Sequence, residues 1–228
     1  MDDMTAQWKK HARDMLAGKW WLLAGILIVF TALNAIPQFV SPPVDPDTVP
    51  TTNETILTFV SLVLSLLIAP LSIGWSWIAQ DVSRGNKPVI SALFAPFRNS
   101  YVKHVLAPIL MGIFIFLWSL LLVVPGIIKS FSYSLTYYLL RDQPELSALE
   151  AITESRRLMD GHKMEAFKLV LSFIGWFFVG ILTLGIGFLF IYPYFSTAYA
   201  TFYESIQQEQ HPESQFMTDH STDGPTGF

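Results

Sequence analysis

The chain has 228 residues, of which 52% are hydrophobic and 14% charged, and its mean hydropathy is positive. That balance lies outside the usual soluble range and predicts an integral membrane protein. A formal net charge of −4 excludes a simple electrostatic case for a nucleic-acid partner, and the absence of cysteine excludes disulfides, thiolate metal sites and thiol nucleophiles.

In chain order, the N-terminal segment 1–19 carries Lys9, Lys10, Arg13 and Lys19 and precedes a first apolar run at about 20–36. No clean small-x-small cleavage site follows that run, so it reads as an uncleaved membrane helix. Asn34, late in the run, is expected to end the helix at the outer interface. The stretch from Pro37 to Thr55 has no basic residue, only Asp45, Asp47 and Glu54, and its prolines 42, 43, 46 and 50 predict an irregular external loop. A second run at about 55–79 is again near the roughly 20 residues that cross a bilayer. Arg84, Lys87, Arg98 and Lys103 follow it.

The block from His104 to Leu140 would extend roughly 55 Å as one helix, nearly twice the hydrocarbon thickness. Pro125-Gly126 near its middle predicts a turn, giving segments at about 105–124 and 127–140. The inner segment that follows contains Arg141, Arg156, Arg157 and Lys163. It predicts an amphipathic cytoplasmic helix from Asp142 to Gly161, with Asp142 as cap, Pro144 in the first turn and Leu146, Leu149, Ile152 and Met159 on one stripe. The block from Glu165 to Glu204 repeats the hairpin logic around Gly185-Ile186-Gly187, giving segments at about 166–183 and 186–204. The fold class is therefore all-α: a polytopic transmembrane helical bundle, 20–206, of about six segments in three hairpins. An acidic tail, 207–228, is predicted to be disordered. Lys and Arg are retained on the cytoplasmic side, so both termini and the basic segments should lie inside.

Candidate chemistry is sparse. Lys129 is the one basic residue inside an apolar block, and an intramembrane cation is a functional candidate by default. Its long stem can instead snorkel from near Pro125-Gly126 to the outer surface. Arg156, Arg157, His162 and Lys163 on the inner segment are candidate contacts for anionic lipid headgroups or a partner. Asp160, His162 and Glu165 lack the spacing of a zinc motif, and no nucleophile elbow or phosphate loop occurs, so neither catalytic residue nor cofactor is expected. Pro70 and Pro193 should kink their helices. Trp20, Trp21, Trp75, Trp77, Tyr192, Tyr199 and Tyr203 stand at segment ends, as in an interfacial aromatic belt.

Several runs resemble a family of bacterial integral membrane proteins called domain of unknown function 975. They include Pro125-Gly126-Ile127-Ile128-Lys129, Ser132-Tyr133-Ser134, Ala151-Ile152, Ser155 and Gly161-His162-Lys163. Leu171 to Trp176, Gly185-Ile186-Gly187, Pro193-Tyr194 and Phe202-Tyr203-Glu204 continue the likeness, and Arg13, Leu16, Gly18 and Trp20 fit its opening pattern. The resemblance implies a small polytopic protein of the bacterial cytoplasmic membrane and supplies no reaction, ligand or catalytic residue. The expected role is a non-enzymatic accessory or organising component. Its expected partners are the bilayer and a membrane protein or second copy of the chain. A transporter or channel subunit for a small solute, or a lipid-acting enzyme, is the alternative.

Overall fold

The computed structural model describes residues 2–43, 49–98 and 100–210, and these are helical with short joints. Helices α1 (Asp2–Leu16) and α2 (Trp20–Val40) are followed by α3 (Thr52–Ile68) and α4 (Pro70–Ser83), a 3-10 turn at Ile90–Phe94 and α5 (Ala95–Arg98). The remainder is α6 (Tyr101–Leu121), α7 (Val123–Tyr133), α8 (Thr136–Asp142), α9 (Ala148–Leu158), α10 (Lys163–Leu171), α11 (Ile174–Leu182) and α12 (Phe188–Gln210).

Four stretches are long and apolar enough to cross a bilayer: Trp20–Val40, Thr52–Ser83, Tyr101–Leu121 and Lys163–Leu182. These fit a membrane protein. Two of the six expected segments fall short of that standard. The return arm is broken into α7 and α8, and α12 interleaves its apolar residues with Ser196, Thr197, Thr201 and Glu204.

Several boundaries move for identifiable reasons. Asn34 does not end α2, because its amide donates to the Phe30 carbonyl at 2.8 Å and is satisfied within the helix. Thr51 and Glu54 form a capping box that starts α3 three residues early. Pro70 opens α4 at N1, where its missing N–H costs little. In the third block the break falls at Leu122, which is extended, and Pro125 lies inside the first turn of α7. Gly126 is there for proximity: a Cβ on it would lie 3.0 Å from the Ser119 Cα across the α6–α7 contact. The amphipathic helix expected from Asp142 begins instead at Ala148, capped by Ser147 with Glu150, while Asp142 closes α8. Gly161, at φ 88°, stands where a stop was expected. The turn between α11 and α12 spans 183–187, with Leu184 and Gly185 both left-handed. Residues 207–210 are helical, contrary to the expected tail, and the rest of that tail lies outside the described residues, as does Pro46.

The core centres on α12. Trp8 of α1 meets Phe202 edge-on at 5.0 Å, Trp75 of α4 donates to Ser196 Oγ at 2.9 Å, and Tyr199 donates to Ser134 at 2.7 Å. Trp75, Tyr199 and Tyr203 are thus buried, and Trp77 is half-buried with its indole N–H on the Tyr137 carbonyl. Of the expected aromatic belt, Trp21 at 81% exposure fits best. Indole and phenol groups with internal partners suit a bundle core as well as an interface.

Gly74 sets the closest backbone approach, between α4 and the 3-10 turn. A Cβ there would come 2.7 Å from the Leu93 carbonyl carbon and 2.8 Å from its Cα. Gly74→Ala is therefore expected to destabilise the bundle by about 1–3 kcal/mol. Gly112→Ala, where a Cβ meets open space, should leave stability unchanged or raise it by up to about 1 kcal/mol. Thermal unfolding of both variants in one detergent checks the contrast.

Candidate functional site

The end of α7 and the start of α8 are joined by a break at Ser134-Leu135, which leaves backbone groups without helical partners. Ser155 of α9 fills that gap. Its hydroxyl donates to the Ser132 carbonyl at 2.9 Å and accepts from the Leu135 N–H at 3.1 Å, fully buried. α9 is amphipathic, burying Ala148, Ala151, Ile152, Ser155 and Leu158, so Thr153, Arg156 and Arg157 project from its other side. Because Ser155 is pinned to Ser132, those arginines are brought beside Lys129, one turn earlier on α7.

The result is a cavity of about 490 Å³ lined by Lys129, Thr153, Arg156, Arg157, Asp160 and Lys163. Four cations from α7, α9 and α10 face one lining carboxylate. Lys129, for which either an outward snorkel or a functional contact was expected, shares this cavity with Arg156, Arg157 and Lys163. Its ammonium lies 4.5 Å over the Trp118 ring, a cation–π contact. Arg157 is engaged by Glu154 at 2.6 and 2.9 Å, which holds the Glu154 carboxyl below its usual range, and also reaches Gln210. Lys163 pairs with Asp160 at 3.4 Å. Arg156 is exposed and makes no ion pair among the described residues. The two arginines also suit the negative end of the α9 dipole, so their place has a local cause. Lys129 and Lys163 arrive from other helices and have no such cause.

Exposed apolar residues adjoin two of the lining residues along the chain: Ile127 and Ile128 before Lys129, Met164 and Phe167 after Lys163. A surface that pairs clustered guanidinium and ammonium groups with exposed hydrocarbon can hold a phosphate oxyanion while its apolar part contacts lipid chains. His162, the fifth sequence candidate, is not in the lining. It turns to Glu165 at 3.2 Å and approaches Glu209 at 3.9 Å. Among the described residues no three His, Asp or Glu side chains are grouped as metal ligands.

A second polar cluster was invisible in the sequence. Asp142 Oδ2 accepts from Arg84 at 2.7 Å, Tyr203 at 2.8 Å and Gln80 at 2.9 Å, while Arg84 Nε donates to Glu204 at 2.9 Å. Arg141 bonds Asp81 and the Trp77 carbonyl alongside. These residues come from the ends of α4, α8 and α12; the sequence singled out Asp142 and the Phe202-Tyr203-Glu204 run but not their meeting with Gln80 and Arg84. The cluster ties three helices together and is read here as structural.

No curated protein and no solved structure matches the chain. Residues 119–210 match the model of a family described as a protein of unknown function, DUF975. The matched stretch holds the four cations of the cavity together with Asp142, Tyr203 and Glu204, but leaves Arg13 to Trp20 outside. Over that region the chain resembles the DUF975 family.

Proposed function

We propose that this chain is a multi-pass protein of the bacterial cytoplasmic membrane that acts without catalysis, organising its surroundings by holding an anionic lipid headgroup in the Lys129–Arg156–Arg157–Lys163 cavity. The observation that carries the reading is the convergence of four cations from three helices on one cavity, with exposed apolar residues next to Lys129 and Lys163 in the chain. Glu154 and Asp160 answer Arg157 and Lys163, whereas Lys129 and Arg156 make no ion pair among the described residues, and their mutual repulsion is relieved by a bound anion.

A path with both termini cytoplasmic is part of this proposal, with 105–140 entering and leaving from the inner side without reaching the outer surface, because Lys129 shares its cavity with Arg156 and Lys163. Lys19 donates to the Gly85 and Asn86 carbonyls, which draws the start of α2 to the end of α4. Arg84 with Asp142 brings the end of α8 to that same place, and His162 near Glu209 sets the start of α10 beside the end of α12. The Lys19 and His162 contacts each set the two ends of one hairpin side by side, and Arg84–Asp142 joins the ends of two hairpins. The bacterial setting rests on the family resemblance.

The test is ligand-dependent stabilisation of the full chain in a neutral detergent. A lipid that binds the folded state alone raises Tm as its concentration exceeds Kd. Phosphatidylglycerol should raise the wild-type Tm, phosphatidylcholine should not, and the rise should shrink strongly in K129Q/R156Q/K163Q. An equal rise in that variant would remove the cavity from the account.

A further inference from the structure

α10 has basic residues on two sides. Lys163 faces the cavity already described, while Lys168, five residues on, lines a different and larger one. This second cavity, about 660 Å³, lies between α10–α11 and the N-terminal helix α1, and its cations are Lys9, Lys10, Arg13 and Lys168. None of its lining residues is acidic. Lys9 donates to the Ser172 carbonyl at 3.3 Å and lies 5.0 Å over the Phe173 ring. Burial, and then neighbouring Arg13, pull the Lys9 ammonium below its usual range. Lys10, Arg13 and Lys168 make no ion pair among the described residues, and Lys10 and Arg13 are exposed.

The walls of the cavity state what kind of anion it suits. α1 buries Trp8, Ala12 and Leu16 and turns Lys9, Lys10 and Arg13 toward α10. The opposite wall is Leu171, 50% exposed, and Trp176, 46% exposed, both within an apolar stretch long enough to cross a bilayer. A free anion would use the cations and leave that apolar wall unused. A lipid phosphate uses both, with Trp176 at the headgroup level that tryptophan favours.

We infer that the junction of α1 with α10 is a second phosphate-recognition site, which binds the headgroup of an anionic phospholipid through Lys9, Lys10, Arg13 and Lys168 with its chains along Leu171 and Trp176. It is separate from the Lys129 cavity in every lining residue, so each can fail alone. Bound there, the lipid supplies the countercharge that the cavity lining lacks and fixes α1 against the membrane span.

The experiment is a titration of the full chain with phosphatidylglycerol, read by native mass spectrometry as bound lipids per protein. K10Q/R13Q alters exposed side chains only, and K168Q approaches the site from the other helix, so a folding defect in one does not silence the other. Each variant should lose one tightly bound lipid relative to wild type, with that site weakened about fivefold per cation removed. K129Q/R156Q, run in parallel, should retain this site and lose the other. Wild-type stoichiometry and affinity in both K10Q/R13Q and K168Q would overturn the inference. So would displacement of the lipid by equimolar inorganic phosphate, which would make the site one for a free anion.

Discussion

Phe173→Ala is expected to destabilise the bundle by about 3–5 kcal/mol. Phe173 is wholly buried at the joint between α10 and α11. Its ring meets Tyr194 edge-on at 5.0 Å and Phe195 at 5.3 Å, and the Lys9 ammonium lies above it. One side chain therefore holds the α10–α11 joint to both α12 and α1. In a bilayer or detergent, apolar surface gains little from leaving water, so the loss comes mainly from packing contacts and the cavity left behind. Phe173→Leu should recover part of the loss. Thermal unfolding in detergent measures both, and an alanine variant within about 1 kcal/mol of wild type would show that the three helices are held elsewhere.

Asp142→Ala should cost about 2–3 kcal/mol. Its Oδ2 accepts from Arg84, Gln80 and Tyr203, three donors on two other helices, and Gln80 is fully buried. Removing the carboxylate leaves Arg84 with Glu204 alone and strands the Tyr203 hydroxyl beside Gln207. The figure stays below that for a fully enclosed pair because the Asp142 side chain is 22% exposed and water screens it in part. Asp142→Asn, which keeps an acceptor but not the charge, should fall between. A double-mutant cycle with Arg84→Met isolates the pair. Strict additivity of the two losses would show that Arg84 and Asp142 do not stabilise each other.

Much of the helical framework was legible because long apolar runs and basic flanks report directly on what a bilayer tolerates. The misreadings share a cause, which is that local signals compete. Asp142 before Pro144 resembled a helix start, but Ser147 with Glu150 makes the reciprocal cap and wins the boundary. Pro125-Gly126 resembled a turn, although proline is harmless in a first helical turn and the chain bends at Leu122, which has no turn chemistry at all. Trp75, Tyr199 and Tyr203 stand near the ends of the expected segments, but within α4 and α12 it is the face of the helix that decides burial.

Four of the five candidate contact residues proved to share one cavity, which the sequence could name but not assemble. Lys129 is 27 residues from Arg156 in the chain, and what joins them is the buried Ser155 bridge to Ser132 and Leu135. The cations of α1 were read only as a topological flank. Their meeting with Lys168 is a long-range event that no local pattern announces.

The central claim is that the Lys129–Arg156–Arg157–Lys163 cavity selects an anionic headgroup. Its most direct test is the composition of lipids retained by the full chain when it is released from discs of mixed phosphatidylglycerol and phosphatidylcholine. The account predicts wild-type protein enriched in phosphatidylglycerol over the disc mixture, with the enrichment reduced in K129Q/R156Q/K163Q of unchanged Tm. Retained lipid that mirrors the disc composition in both proteins would contradict it.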